Sequence, residues 1–157
     1  MDAVALLKEL ATEAGVPEAS FNDHGVCRIV FDEKLELDFE WLPAEGLLFL
    51  HAPVMSFTGR PEGSVCQALL EANLFGRDTG GAVLALDAVH NEVILCERLV
   101  PELMDSAYFR SRVESFLNVL ERWQEKARSL AAAAPAVSRP DAAGKTYRAG
   151  TDNFLRV

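Results

Sequence analysis

The stretch from Val65 to Leu99 constrains the fold of this chain most, because three elements follow one another in it with short connections. It reads VCQALLEANLFGRDTGGAVLALDAVHNEVILCERL. The spacing of its first apolar residues predicts an amphipathic helix that a glycine, Gly76, brings to an end. Two apolar strands follow, from Ala82 to Asp87 and from Glu92 to Leu99, on either side of a polar turn. A connection this short predicts an antiparallel pair of strands.

The residues before this stretch predict a helix and then three strands. Asp2 can cap the first helix, and Gly15 and Pro17 end it. The first strand runs from Val26 to Phe31. In the second strand, apolar residues alternate with an acidic row that we interpret as its solvated face (Leu35, Leu37, Phe39 and Trp41; Glu36, Asp38 and Glu40). The third strand, Leu47 to Val54, is apolar on both faces.

A third helix is predicted to begin at Asp105 or Ser106. Its apolar residues recur every three or four positions, as in a face that packs on the domain's own sheet (Phe109, Val113, Phe116, Leu120, Trp123, Ala127 and Leu130). The complete order, α-β-β-β-α-β-β-α, predicts an α+β fold with a twisted, mainly antiparallel sheet. Residues 1–130 should form one domain, and residues 131–157, rich in alanine and proline, a disordered tail.

The charge of the chain excludes some classes of partner. The 157 residues carry a net charge of −9; residues 131–157 hold four basic and two acidic residues, so the first 130 carry −9 − 2 = −11. Such a surface repels nucleic acid and attracts basic segments. No apolar run is long enough for a membrane span, and the acidic N-terminus does not resemble a signal peptide. Three scattered cysteines suit a reducing compartment, so we expect a cytoplasmic protein.

No group of residues in the sequence predicts catalysis. His24, His51 and His90 are far apart, and spacing alone leaves a cysteine–histidine pair such as Cys66 with His51 open. The cysteines lie among apolar neighbours, where a thiol usually acts as a small buried side chain. Metal-ligand spacings such as C-x-x-C are absent from the sequence. We therefore expect no catalytic residue, no metal and no cofactor.

A helix, the loop after it and two strands carry a resemblance to a known family. The helix from Ala68 to Leu74 (ALLEANL), its glycine-containing loop, and the strands from Leu84 to Asp87 and from Val93 to Cys96 resemble the class I effector chaperones of type III secretion systems, the Tir-chaperone family. The resemblance implies a homodimer without enzymatic activity. It also implies that the N-terminal segment of a secreted effector binds in extended form, and it suggests the secretion-system ATPase as a further partner.

Two sets of site residues are expected, the first from this resemblance and the second from apolar residues in excess of what a small core needs. The dimer interface is expected at the second helix and the next strand (Val65, Cys66, Leu69, Leu70, Asn73 and Leu84). Effector binding is expected at apolar residues of the first helix and of the second and third strands (Val4, Leu6, Leu7, Leu10, Leu35, Leu37, Phe39, Trp41, Leu48 and Leu50). Part of this second set must form the core, and the sequence does not assign the division; we expect Leu6 and Leu48 on the exposed side.

Two alternatives stay open at this point. One is a dimeric adaptor or regulator of similar fold that binds a folded partner. The other is a small enzyme that uses one of the cysteines.

Overall fold

The computed structural model describes residues 1–133. Their helices are α1 (Ala3–Glu13), α2 (Gly63–Asn73) and α3 (Ser106–Ala133), and their strands are β1 (Val26–Phe31), β2 (Leu35–Leu42), β3 (Leu47–Ser56), β4 (Val83–Asp87) and β5 (Glu92–Leu99). Short 3-10 turns follow α2 and β5, at Leu74–Gly76 and Pro101–Leu103. The predicted α+β order is confirmed. The predicted disordered tail lies outside the described residues except for its first three, which continue α3.

The five strands form one antiparallel sheet in the order β1-β2-β3-β5-β4. Three neighbouring pairs are hairpins, as predicted. The fourth pair, β3 with β5, joins strands that are separated in sequence by α2 and β4. This pairing puts β3 in the centre and leaves β1 and β4 as the two edges.

The helices pack against one face of the sheet, which we call the helix face. It carries Leu37 and Phe39 of β2, Leu48 and Leu50 of β3, and Leu95 of β5, all fully buried. Six residues of the predicted α3 stripe are buried there too, and the rings of Phe39 and Phe109 lie 6.4 Å apart. Burial of this much apolar surface is the main stabilising contribution to the fold. The stripe therefore packs on the chain's own sheet, as expected.

Asn73, the last residue of α2, closes the outer edge of β4. Its Nδ2 donates to the carbonyl of Leu84, and its Oδ1 accepts from the Leu84 N–H, both at 2.9 Å. The amide therefore occupies the positions that a neighbouring strand would use. An adjacent strand cannot pair with β4 at this point without displacing Asn73.

Replacing Asn73 with alanine is expected to lower the free energy of unfolding by about 1–2 kcal/mol, because two partly buried backbone groups lose their partner. Thermal unfolding measures this loss, and light scattering should show more aggregation since the edge of β4 is opened. Asn118→Ala, at an exposed position of α3, is the matched control. Equal melting temperatures for the two variants would contradict the role of Asn73.

Candidate functional site

The face of the sheet opposite the helices, which we call the open face, carries a groove of about 550 Å³. Because side chains alternate along each strand, it is built from the residues between the buried ones. The register places Glu40 beside Phe49, and Asp38 between Arg28 and His51. Ile94 and Cys96 of β5 complete the apolar part of the lining. The groove thus combines an apolar floor with acidic side chains.

Arg28 donates hydrogen bonds to two of the three carboxylates on β2. Its Nε and Nη2 donate to the two oxygens of Asp38, each at 2.7 Å, and its Nη1 donates to Glu36 at 3.0 Å. The hydrogen bond with Asp38 raises the pKa of Arg28. Asp38 is 7% exposed, so the expectation of a fully solvated acidic row is wrong at this position. The bidentate guanidinium offsets the cost of burying that carboxylate.

His51 lies between the carboxylates of Asp38 and Glu40. Its Nδ1 is 3.9 Å from Asp38 Oδ2, and its Nε2 is 3.7 Å from Glu40 Oε2. Among residues 1–133 no lysine or arginine nitrogen lies within 4.0 Å of the Glu40 carboxylate. Within 4.0 Å, the Glu40 carboxylate therefore has a histidine as its only basic neighbour among the described residues.

The cysteine opposite His51 in the register is Cys96, and not Cys66. Burial raises the pKa of the Cys96 thiol, which donates to the carbonyl of Val83 at 3.5 Å. Burial raises the pKa of Cys27 as well. A thiol of raised pKa is a poor nucleophile at neutral pH. The surroundings of Cys27 and Cys96 therefore suit structural side chains better than catalytic ones.

The turn between β4 and β5 is held by Asp87 at the end of the groove. Its Oδ1 accepts from the N–H groups of Val89 and His90, and its Oδ2 lies 2.6 Å from His90 Nδ1. The hydrogen bond with Asp87 raises the pKa of His90; burial opposes a low pKa for Asp87, yet the bonds from His90 and Val89 lower it. Both carboxylate oxygens of Asp87 thus contact groups of its own turn.

The outer edge of β1 is open beyond its first residue. Asn22 bonds both backbone groups of Val26, at 2.9 Å and 3.0 Å. The same alternation turns the N–H and C=O groups of Arg28 and Val30 outward. Among the described residues, no group bonds to them. This edge can accept an additional strand.

A second apolar surface lies at the other end of the sheet, on α2, the turn after it and β4. We call it the α2–β4 surface; it consists of Leu70, Leu74, Phe75 and Leu86, of which Phe75 is 87% exposed. Phe75 also has a positive φ of 55°, which is unusual for a residue with a bulky side chain. An exposed aromatic residue on a strained backbone is costly for the isolated chain. Such a residue commonly marks a contact with a partner.

The structure divides the expected effector-binding set. Val4 is 57% exposed, and Trp41 is partly exposed. The other eight residues lie in the core (Leu6, Leu7, Leu10, Leu35, Leu37, Phe39, Leu48 and Leu50). The expectation that Leu6 and Leu48 are exposed is wrong, because both side chains belong to the buried core and are 1% and 0% exposed. Effector contact at Val4 and Trp41 stays a prediction.

The expected dimer set is divided in the same way. Val65, Leu69 and Leu84 are buried within the chain itself, Cys66 and Asn73 are partly buried, and Leu70 is 73% exposed. Sequence reasoning missed Phe75 and Leu86 here and Ile94 on the open face. The apolar character of β3 on both faces was the signal for Phe49, which also lines the open face. Nothing in the local pattern distinguishes Phe75 from a buried residue.

The fold and these surfaces define a protein that binds another polypeptide. The model of the Tir chaperone protein (CesT) family matches residues 5–124. The chain belongs to the Tir chaperone protein (CesT) family, and it is a type III secretion chaperone that binds effectors. No curated protein matches it significantly in sequence. Within residues 1–133, no helix is long and apolar enough to cross a membrane.

Three solved structures of similar fold are complexes of two proteins. A chain of the ExsC–ExsE complex is 23% identical with a TM-score of 0.66, over 80% of this chain and 96% of that one. A chain of the HopA1–SchA chaperone–effector complex is 21% identical with a TM-score of 0.64, over 77% and 91%. The Yersinia pestis type III secretion chaperone SycH, solved with a fragment of YscM2, is 25% identical with a TM-score of 0.57, over 81% of this chain and 98% of that one.

Proposed function

We propose that this chaperone binds the N-terminal segment of a secreted effector in extended form and keeps it soluble and competent for secretion in the cytoplasm. It does so by binding alone, without catalysis. The complexes among its structural neighbours, such as HopA1 with SchA, support a partner of this kind. A cytoplasmic location agrees with the three free cysteines.

The observation that carries this proposal is the open edge of β1 next to the groove of the open face. The outward backbone groups of Arg28 and Val30 can pair with an extended segment, which then continues over the apolar floor at Phe49 and Ile94. A folded partner has few unpaired backbone groups to offer to such an edge. The geometry therefore favours an extended effector segment over the folded partner of an adaptor.

We further propose a homodimer that buries the α2–β4 surface. In a two-fold symmetric pair, Leu70 and Phe75 of one copy contact the same surface of the other copy. The contact would remove the exposed apolar side chains from water. Since Asn73 closes the edge of β4, we expect packing of side chains and not a continuous sheet across the dimer.

Replacing Val30 with proline is expected to weaken effector binding by about tenfold or more, because it removes an outward N–H without breaking the bonds between β1 and β2. The measurement is the affinity of the purified dimer for an N-terminal effector fragment, together with protease sensitivity of the bound fragment. Val30→Thr keeps the N–H and the branched side chain, so it is the matched control.

Two results would contradict the proposal. If the partner's folded domain is required and its N-terminal fragment does not bind, the protein is an adaptor. If both Val30 variants bind the fragment as the wild type does, the segment does not pair with β1.

A further inference from the structure

The open face has an excess of negative charge that its own cations do not balance. Five carboxylates lie on it (Glu36, Asp38, Glu40, Asp87 and Glu92), against two guanidinium groups, Arg28 and Arg98. Counted over these carboxylates and guanidinium groups alone, the excess is three negative charges. Arg28 is already held by Asp38 and Glu36, and Arg98 is exposed and has no carboxylate within 4.0 Å among the described residues.

Glu40 is the carboxylate of this face whose oxygens have no hydrogen bond within the described residues. Glu92 accepts from the Ser56 hydroxyl at 3.3 Å, and Asp87 accepts from groups of its own turn. The Glu40 side chain is only 19% exposed, and His51, at 3.7 Å, is its only basic neighbour within 4.0 Å among the described residues. Arg98 lies one strand further away, opposite Phe49 in the β3–β5 register. Partial burial reduces screening by water and salt, so a cation brought to Glu40 gains more than it would at an exposed carboxylate.

Phe49 provides an aromatic ring next to the Glu40 carboxylate. It lies directly opposite Glu40 in the β2–β3 register, and its ring is partly exposed in the groove. A planar guanidinium can contact a carboxylate at its edge and an aromatic ring at its face, which an ammonium group does less well. No cation of the described residues stacks on Phe49.

We infer that the open face selects an extended effector segment that places an arginine side chain between Glu40 and Phe49, with apolar residues on either side of it. The apolar neighbours contact Ile94 and Cys96. This inference rests on the proposed function, since it specifies the chemistry of the same bound segment. It explains how a strongly acidic chain attracts its partner without losing the contribution of apolar burial.

The test uses three labelled synthetic peptides of identical, alternating apolar and polar sequence, with arginine, citrulline or glutamate at the centre. Citrulline has the shape of arginine without its charge. We expect the full-length protein to bind the arginine peptide about tenfold more tightly than the citrulline peptide at low salt, and the glutamate peptide most weakly. Fluorescence anisotropy measures the three dissociation constants.

Substitutions in the protein then test whether Glu40 and Phe49 cause the preference for the arginine peptide. Glu40→Gln should reduce the affinity for the arginine peptide to that for the citrulline peptide and leave the latter unchanged. Glu45→Gln, in the exposed β2–β3 turn, changes the net charge equally and should keep the preference. Phe49→Leu keeps an apolar side chain and should reduce the preference severalfold. Equal binding of arginine and citrulline by the wild type would overturn the inference, as would equal effects of the two glutamine variants.

Further measurements distinguish other occupants of the groove, and they separate failure of this inference from failure of the proposed function. If Arg148→Gln with Arg156→Gln in the full chain increases the affinity for every peptide, the chain's own C-terminal segment competes for the groove, contrary to the inference. If Glu40→Gln changes the mass in sedimentation, the occupant is a second copy. If the effector fragment binds well but with no dependence on Glu40, the inference fails and the proposed function stands. If the fragment does not bind while the arginine preference persists, the proposed function alone fails.

Discussion

Replacing Arg112 with methionine is expected to lower the free energy of unfolding by about 3 kcal/mol at neutral pH, because the change leaves a buried carboxylate without its cation. Arg112 on α3 donates through Nε to the buried Glu97 of β5 at 2.8 Å, and through Nη2 to the carbonyl of Gly80 at 3.0 Å. The second oxygen of Glu97 has no hydrogen-bond partner among the described residues. Without Arg112, the Glu97 carboxylate would lack any compensating charge.

The loss should depend on pH in a definite direction. Burial raises the pKa of Glu97 from its ordinary value of 4.5, although the hydrogen bond and charge of Arg112 lower it in part. The folded state therefore binds the Glu97 proton more tightly than the unfolded state, and the stability from this group falls as the pH rises through the folded pKa. Methionine removes the lowering effects, so the folded pKa rises further. The difference in melting temperature should thus be smaller near pH 5 than near pH 7.5.

Arg110→Met on the same helix is the control. Arg110 pairs with Glu13 at the surface, at 2.9 Å, and its loss should leave the melting temperature almost unchanged. Scanning calorimetry at both pH values makes the comparison. A loss for Arg112→Met that is small, or equal at the two pH values, would show that the Arg112–Glu97 pair does not stabilise the fold in this way.

Replacing Phe75 with asparagine is expected to weaken the proposed dimer by about 100-fold, so that the protein sediments as a monomer at micromolar concentration. Asparagine accepts the left-handed conformation of residue 75 more readily than phenylalanine does, so the chain should keep its fold. The substitution removes the most exposed aromatic side chain of the α2–β4 surface. Leu70→Asp should have the same effect, whereas Leu69→Asp should unfold the chain because Leu69 is buried.

Leu103→Asn is the control for this experiment, since Leu103 is 83% exposed but lies outside the α2–β4 surface, in the turn after β5. It should leave the sedimentation mass unchanged. A wild-type protein that is monomeric at micromolar concentration would refute the dimer. Persistence of the dimer in both Phe75→Asn and Leu70→Asp would move its interface elsewhere.

Features that depend on near neighbours in the chain could be predicted from the sequence. Asp2 caps α1 by accepting from the N–H of Ala5 at 2.7 Å, as its residue type and position indicate. The alternation in β2 correctly predicted that Leu37 and Phe39 share one apolar face, which the structure buries. The spacing in α3 likewise predicted its buried stripe. In each case the periodicity of a helix or strand relates residues two to four positions apart, and this needs no knowledge of the rest of the fold.

Features that depend on which elements meet could not be predicted in this way. The apolar residues of α1 and β3 were visible as a set, but only the packing of helices on one sheet face showed that Leu6 and Leu48 are buried while Phe49 lines the groove. Asp38 was expected in solvent. It is buried because Arg28, which lies opposite it on β1, donates hydrogen bonds to its carboxylate.

The sequence by itself determined the element order, the antiparallel hairpins, the acidic character and the resemblance to secretion chaperones. The tertiary structure alone decided that β3 pairs with β5, and that Asn73 closes one edge of the sheet while the other edge stays open. It also decided that Glu40 lies beside Phe49, with no lysine or arginine nitrogen of the described residues within 4.0 Å of its carboxylate. The physical reason is that hydrogen-bonding partners and solvent exposure depend on residues distant in sequence, whose approach only the complete packing specifies.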